Sequence, residues 1–138
     1  MRLDARLRFV LYAVFALLFA TGGTWLVADR LKAGSDGEIW QEIAANLLML
    51  HGGAAMVILF LFGALTPLHV QRAWRSRRNR LTGLAMVTFN SLLVVTSFGL
   101  YYAGSELLRP LLSDIHIGLG LCLPALLLIH ITVGRRSS

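Results

Sequence analysis

The sequence predicts an all-α integral membrane protein: a four-helix bundle of two repeated helical hairpins, with both termini in the cytoplasm. Of the 138 residues, 57% are hydrophobic and only 14% are charged, whereas soluble domains carry about 25% charged residues. Four apolar segments, each near the roughly 20 residues of a spanning helix, occupy most of the chain. They lie at about residues 9–28, 45–68, 81–103 and 111–133. We therefore expect one membrane domain over residues 1–138 and no separate soluble domain.

The basic residues predict the orientation of these segments. Arg30, Lys32 and Arg109 lie in the loops after the first and third segments. The other ten basic residues flank the opposite ends of the segments: Arg2, Arg6, Arg8, Arg72, Arg75, Arg77, Arg78, Arg80, Arg135 and Arg136. Cytoplasmic loops of membrane proteins are enriched in Lys and Arg, so both termini are expected on the cytoplasmic side of a bacterial-type inner (plasma) membrane. The net charge of +6 then reflects orientation, and no nucleic-acid partner is expected.

The first segment is expected to remain as a spanning helix, because its apolar run exceeds that of a cleavable signal peptide. Its end carries the sequence ATGGTWL, with Gly22 and Gly23 adjacent. Paired glycines let another backbone or a flat ligand approach closely. Close helix packing is the simpler interpretation.

The second segment carries His51 and His69, eighteen residues apart. In a regular helix this separation is five whole turns, so both rings share a face roughly 27 Å apart. His51 is followed by Gly52 and Gly53, which leave room for a wide ligand. Pro67 is expected to kink or end the helix, so His69 is the least secure of the histidines and is alternatively a solvated interfacial residue.

The third segment has no histidine, and its end resembles the end of the first. The sequence TSFGLYY repeats the pattern of small and aromatic residues in ATGGTWL. The chain thus reads as two copies of one hairpin, in which a helix rich in small residues precedes a helix with two histidines. Such parallel repeats are related by an axis along the membrane normal.

The fourth segment carries His116 and His130, fourteen residues apart. This separation is nearly four whole turns and roughly 21 Å, so the two rings share one face at two depths. Gly120 follows His116 by one turn and lies on the same face. Cys122 is the single cysteine, which excludes an intramolecular disulfide, and we expect it to be a small buried packing residue.

The histidines match in depth between the second and fourth helices, which run in the same direction. His51 and His116 lie at the outer level, and His69 and His130 at the inner level. Ionisable residues at membrane depth usually mark functional sites, and two facing imidazoles suit the axial positions of a haem iron.

Other uses of four histidines fit this layout less well. A zinc or copper site needs three or four ligands that converge on one ion. A proton relay normally includes intramembrane carboxylates, and Asp114 is the only acidic residue near these helices. A haem-free membrane anchor, whose histidines only form interhelical hydrogen bonds, remains an alternative.

Several short motifs resemble those of small four-helix di-haem b-type cytochromes, which are related to cytochrome b561 and to the cytochrome b subunits of formate dehydrogenases and nickel-iron hydrogenases. These motifs are HIGLGLCLPALLLIH, LHGGAA and the TG and TxxG sequences of the first and third helices.

The resemblance implies two non-covalent haems b, and electron transfer between a membrane quinone and a redox partner subunit. His51 with His116, beside Gly52 and Gly120, would hold the outer haem, and His69 with His130 the inner haem. The eighteen-residue interval in helix two departs from the fourteen residues common in that group and makes the inner haem less secure. A stand-alone quinone or quinol oxidoreductase is the enzymatic alternative.

Overall fold

A computed structural model describes residues 4–75 and 80–136, apart from the side chains of Leu68, His69, Arg72, Ala73 and Arg136. This part of the chain is helical. Five α-helices and one π-helical turn follow in order: α1 (Ala5–Leu31), α2 (Gly37–Leu65), the π-helical turn (Thr66–Val70), α3 (Gln71–Arg75), α4 (Arg80–Tyr102) and α5 (Leu108–Arg136). Arg77 and Arg78 of the predicted basic loop lie outside the described residues.

Within the described residues, four helices are long and apolar enough to cross a membrane: α1, α2, α4 and α5. They confirm the predicted all-α class and the four spans. Each extends beyond its predicted apolar segment at one or both ends; α2, for example, begins at Gly37 rather than near residue 45. Hydropathy marks only the hydrocarbon core, whereas helical hydrogen bonding continues into the interfacial region.

The chain divides into an N-terminal unit, residues 2–64, and a C-terminal unit, residues 65–138. In the N-terminal unit, the Asp4 carboxylate caps α1 by accepting a hydrogen bond from the Arg6 N–H at 3.1 Å. Residues 32–36 connect α1 to α2 in a tight turn. A Cβ atom on Gly37 would lie 2.5 Å from the Lys32 carbonyl oxygen, so the turn requires glycine where α2 begins.

In the C-terminal unit, α4 and α5 pack against each other as an antiparallel hairpin. A Cβ atom on Gly99 would lie 2.7 Å from Leu112 Cδ1, so this glycine makes room for a leucine of α5. At the other end of α4, the Arg80 guanidinium donates hydrogen bonds of 3.2 and 2.8 Å to the Trp74 carbonyl and lies 5.0 Å from the centre of its indole ring. These contacts join α3 to the start of α4.

The helix interruption predicted at Pro67 is confirmed. Helix α2 ends at Leu65, and residues Thr66–Val70 form a π-helical turn. A π-helix has more residues per turn than an α-helix because its hydrogen bonds join residues five apart. The eighteen residues from His51 to His69 therefore do not make five whole α-helical turns. Because the His69 side chain lies outside the described residues, its shared face with His51 stays a prediction.

The surfaces of both units are largely apolar. Phe60 is 76% exposed and Leu81 is 85% exposed. An exterior of this kind would promote aggregation in water but matches contact with a lipid bilayer. Cys122 is also exposed, so its predicted burial is wrong; in a membrane helix an apolar side chain is compatible with the outer surface as well as with the core.

Candidate functional site

Each of the three histidine rings that the structure describes makes a hydrogen bond with a threonine of the preceding membrane helix. Thr21 Oγ1 lies 3.0 Å from His51 Nδ1, Thr96 Oγ1 lies 2.8 Å from His116 Nδ1, and Thr82 Oγ1 lies 3.1 Å from His130 Nδ1. We call these contacts the Thr–His pairs. All three use the same ring nitrogen, so the histidines are oriented by one repeated interaction.

The direction of the hydrogen bond follows from the other bonds of the threonines. The Thr21 hydroxyl donates to the Leu17 carbonyl at 2.7 Å, with the Leu18 carbonyl at 3.2 Å. A hydroxyl has a single proton, so a Thr21 hydroxyl that donates to the Leu17 carbonyl presents its oxygen as an acceptor to His51 Nδ1. A neutral imidazole that is protonated on Nδ1 carries its lone pair on Nε2. These bonds favour the tautomer that carries its proton on Nδ1 and its lone pair on Nε2.

The same arrangement occurs in the C-terminal unit. The Thr96 hydroxyl donates to the Leu92 carbonyl at 2.8 Å, with the Leu93 carbonyl at 3.1 Å, and its oxygen faces His116 Nδ1 at 2.8 Å. Both hairpins therefore hold the first histidine of their second helix by a buried threonine of their first helix. This internal similarity confirms, within each unit, the repeated hairpin predicted from ATGGTWL and TSFGLYY.

Burial sets these threonines apart from the other polar residues. Thr21 and Thr96 are each 5% exposed, and the third buried polar residue among those described is Asn90. The Asn90 amide donates to the Met86 carbonyl of its own helix at 2.8 Å. Buried polar groups are costly without partners, and here two of the three serve the histidines.

In the C-terminal unit the Thr–His pairs form one seam between α4 and α5. Thr82 and Thr96 are fourteen residues apart on α4, as are His116 and His130 on the antiparallel α5. Both rings reach α4, as expected from the prediction that they share one face of their helix. The two pairs are separated by roughly 21 Å along the helix axis.

In the N-terminal unit the His51 ring lies directly against α1. A Cβ atom on Gly22 would be 3.2 Å from His51 Cε1 and 3.5 Å from Nδ1, whereas one on Gly23 would meet nothing within 4 Å. Of the two glycines at which the sequence predicts a close approach, only Gly22 has a group from another helix next to it. The group that approaches is the imidazole of the same hairpin.

The small residues beside the histidines leave space. Gly120 is half-buried, and a Cβ atom built on it would meet no atom within 4 Å. Gly52 directly follows His51 and is also half-buried. The open space beside Gly120 is compatible with a flat ligand next to His116, and imidazole nitrogens are donors that suit iron.

The predicted ligand pairs join residues that the structure describes separately. His51 belongs to the N-terminal unit and His116 to the C-terminal unit, so their pairing stays a prediction. The pairing of His69 with His130 also stays a prediction, because the His69 side chain lies outside the described residues. Among the described residues, no group of three or more His, Cys, Asp and Glu side chains lies close enough together to hold a metal ion.

The threonines are partners of the histidines that the sequence did not predict. Their signal was present in the repeat, where Thr21 begins TGGTWL and Thr96 begins TSFGLY, and in the equal fourteen-residue spacing of threonines and histidines in the second hairpin. In the first hairpin, the residue fourteen positions before Thr21 is Leu7, and the residue fourteen positions after His51 is Leu65. Neither is the threonine or histidine that the second hairpin carries at the corresponding place. The repeat is therefore complete at the level of His51 and His116, and the first hairpin departs from it at the other level.

Comparisons with protein-family models, with curated proteins and with solved structures gave no match. The functional assignment therefore rests on the residues and geometry of this chain.

Proposed function

We propose that this protein carries electrons across the membrane through two haems b, each bound by two histidines. We assign His51 and His116 to the outer haem and His69 and His130 to the inner haem. The protein would act as the membrane subunit of a redox complex that exchanges electrons with the quinone pool. The observation that supports this proposal is the hydrogen bond of a threonine with Nδ1 in three histidines, which would leave Nε2 of each ring as the ligand atom.

This hydrogen bond is the usual companion of metal ligation by histidine. Metal-binding histidines almost always donate their second ring N–H to an acceptor, which fixes the tautomer and the ring orientation. Either ring nitrogen could serve in a purely structural contact between helices. Use of the same nitrogen in all three Thr–His pairs favours ligation over a structural role.

The depth of the sites suits transfer across a bilayer. His116 and His130 are separated by roughly 21 Å along α5, about two-thirds of the roughly 30 Å hydrocarbon core. A haem held by two of these histidines would supply a one-electron centre. The chain contributes the ligands, their orientation and an apolar environment that excludes water.

A haem-free membrane anchor is the second candidate, because Thr–His hydrogen bonds between helices also stabilise membrane proteins by themselves, by about 0.6 kcal/mol on average. In that case the histidines would be structural partners of α1 and α4. The two candidates differ in one measurable property, the haem content of the purified protein.

The test is a reduced-minus-oxidised absorption spectrum of the full chain in mild detergent, with haem quantified per chain. We expect two haems b. His116→Ala and His130→Ala should each remove one haem with different spectra, and His51→Ala should reproduce the spectrum of His116→Ala. The control is Thr132→Val, which removes a hydroxyl that donates to the Ile129 carbonyl of its own helix. A colourless protein, or full haem content in both His116→Ala and His130→Ala, would contradict the proposal.

A further inference from the structure

We propose that Thr21, Thr82 and Thr96 are positioning residues. Each fixes its histidine in the Nδ1–H tautomer, and through that hydrogen bond sets the reduction potential of the metal centre that the histidine ligates. The part that concerns the tautomer stands on the hydrogen bonds alone. The part that concerns the reduction potential rests on the proposed haem function.

Thr21 and Thr96 each contact a carbonyl of their own helix on one side and a histidine ring on the other. Thr96 Oγ1 donates to a carbonyl of its own helix at 2.8 Å and accepts from His116 Nδ1 at 2.8 Å. Donation to the carbonyl makes the hydroxyl oxygen a better acceptor, because consecutive hydrogen bonds polarise one another, and the low dielectric of the surroundings strengthens both bonds. The oxygen cannot rotate to become the donor to the ring without leaving the carbonyl. The threonine therefore acts as a fixed acceptor.

A hydrogen bond from the threonine hydroxyl to a carbonyl of its own helix does not by itself distinguish Thr21 and Thr96 from the other threonines. Thr24 and Thr132 also donate to carbonyls of their own helices, at 2.7 Å to Ala20 and 3.0 Å to Ile129. Such bonds are common for threonines in helices. Thr24 and Thr132 are exposed, whereas Thr21 and Thr96 are buried against histidines. Thr24 lies one turn from Thr21, and Thr132 two residues from His130, so the chain offers a matched control in each hairpin.

The effect on a bound metal has a defined direction. An acceptor at Nδ1–H raises the basicity of the histidine as a ligand. A more basic ligand stabilises ferric iron more than ferrous iron, because the ferric ion carries the larger positive charge. Loss of the acceptor should therefore raise the reduction potential. Loss of such a partner typically changes metal affinity by about 10–100-fold, and a tenfold change in the ratio of ferric to ferrous affinity corresponds to about 59 mV for one electron.

The first experiment needs no haem. The full chain is produced under haem-limited conditions with 15N-labelled histidine, and the ring nitrogens are observed by NMR in detergent micelles. Four histidines give few signals, which single His→Ala variants assign. We expect His51, His116 and His130 to be protonated on Nδ1. Thr96→Val should shift His116 alone toward the other tautomer or a mixture, Thr96→Ser should restore the parent signal, and Thr132→Val should leave it unchanged.

The second experiment measures the midpoint potentials of the haem-loaded protein by redox titration. Thr96→Val should raise the potential of one haem, by about 59 mV for each tenfold change in the ratio of ferric to ferrous affinity, and Thr82→Val should raise that of the other. Thr96→Ser should return the potential to that of the parent, and Thr24→Val should have no effect. The circular dichroism of every variant verifies that it is helical and folded. If Thr96→Val does not fold, Thr82→Val provides the independent test.

The outcomes separate this inference from the proposed function. A proton on Nε2 of His116 in the parent, or an unchanged tautomer in the valine variants, overturns the positioning role. Unchanged potentials in variants that retain both haems overturn the electronic effect and leave the proposed function standing. A protein without haem overturns the proposed function and the effect on potential, and the tautomer measurement then decides the positioning role alone.

Discussion

Gly22 and Gly23 offer a direct test of the contact between α1 and His51, because only Gly22 lies against the ring. Replacement by alanine places a Cβ atom 3.2 Å from His51 Cε1 at residue 22 but meets nothing within 4 Å at residue 23. Carbon atoms pack optimally at about 3.5–4.0 Å. Gly22→Ala must therefore displace the imidazole by a few tenths of an ångström (roughly the difference between these distances), and Gly23→Ala requires no displacement.

The magnitude follows from two opposing effects. Alanine inside a helix is favoured over glycine by about 0.5–1 kcal/mol, and this gain should appear in full for Gly23→Ala. At residue 22 it is opposed by overpacking, which typically costs about 1–3 kcal/mol, and by strain on the 3.0 Å Thr21–His51 hydrogen bond. We expect Gly22→Ala to be less stable than Gly23→Ala by about 1–3 kcal/mol.

The assay is reversible unfolding of the two variants in the same detergent, with haem content measured in parallel. Gly22→Ala should also reduce occupancy of the haem that His51→Ala removes, because the ligand ring is displaced. Equal stability and equal haem content of the two variants would show that the His51 ring does not lie against residue 22.

Two further predictions concern packing outside the Thr–His pairs. Gly99→Val should destabilise the C-terminal hairpin by about 1–3 kcal/mol, because even its Cβ atom would lie 2.7 Å from Leu112 Cδ1. Adding Leu112→Ala to Gly99→Val should restore part of the lost stability, which a double-mutant cycle measures. Strictly additive effects of the two substitutions would contradict the contact. Cys122→Ser should change thermal stability by no more than about 0.5 kcal/mol and leave the haem spectrum unaltered, since the side chain is exposed; a large loss of stability would indicate that this position is buried in the folded protein.

The sequence alone determined the helices and the orientation of the C-terminal histidines on their own helix. Apolar runs of membrane length leave helical hydrogen bonding as the way to satisfy the backbone in lipid, so the four spans follow from composition. The fourteen-residue interval between His116 and His130 fixes their common face because helical geometry is local. The effect of Pro67 on α2 is local as well, and it was predicted for the same reason.

The tertiary structure decided which groups the histidines meet. Whether Thr96 reaches His116 depends on how α4 and α5 are placed along each other and on how each is rotated about its axis. A threonine one residue earlier or later would lie about 100° away around α4. Hydropathy does not predict this relative placement of α4 and α5, because lipid-facing and buried residues of a membrane protein are similarly apolar. The wrong prediction that Cys122 is buried has the same cause. The Thr–His pairs emerge only when two helices are set side by side, since a hydrogen bond between them depends on their relative placement as well as on which residues each one carries.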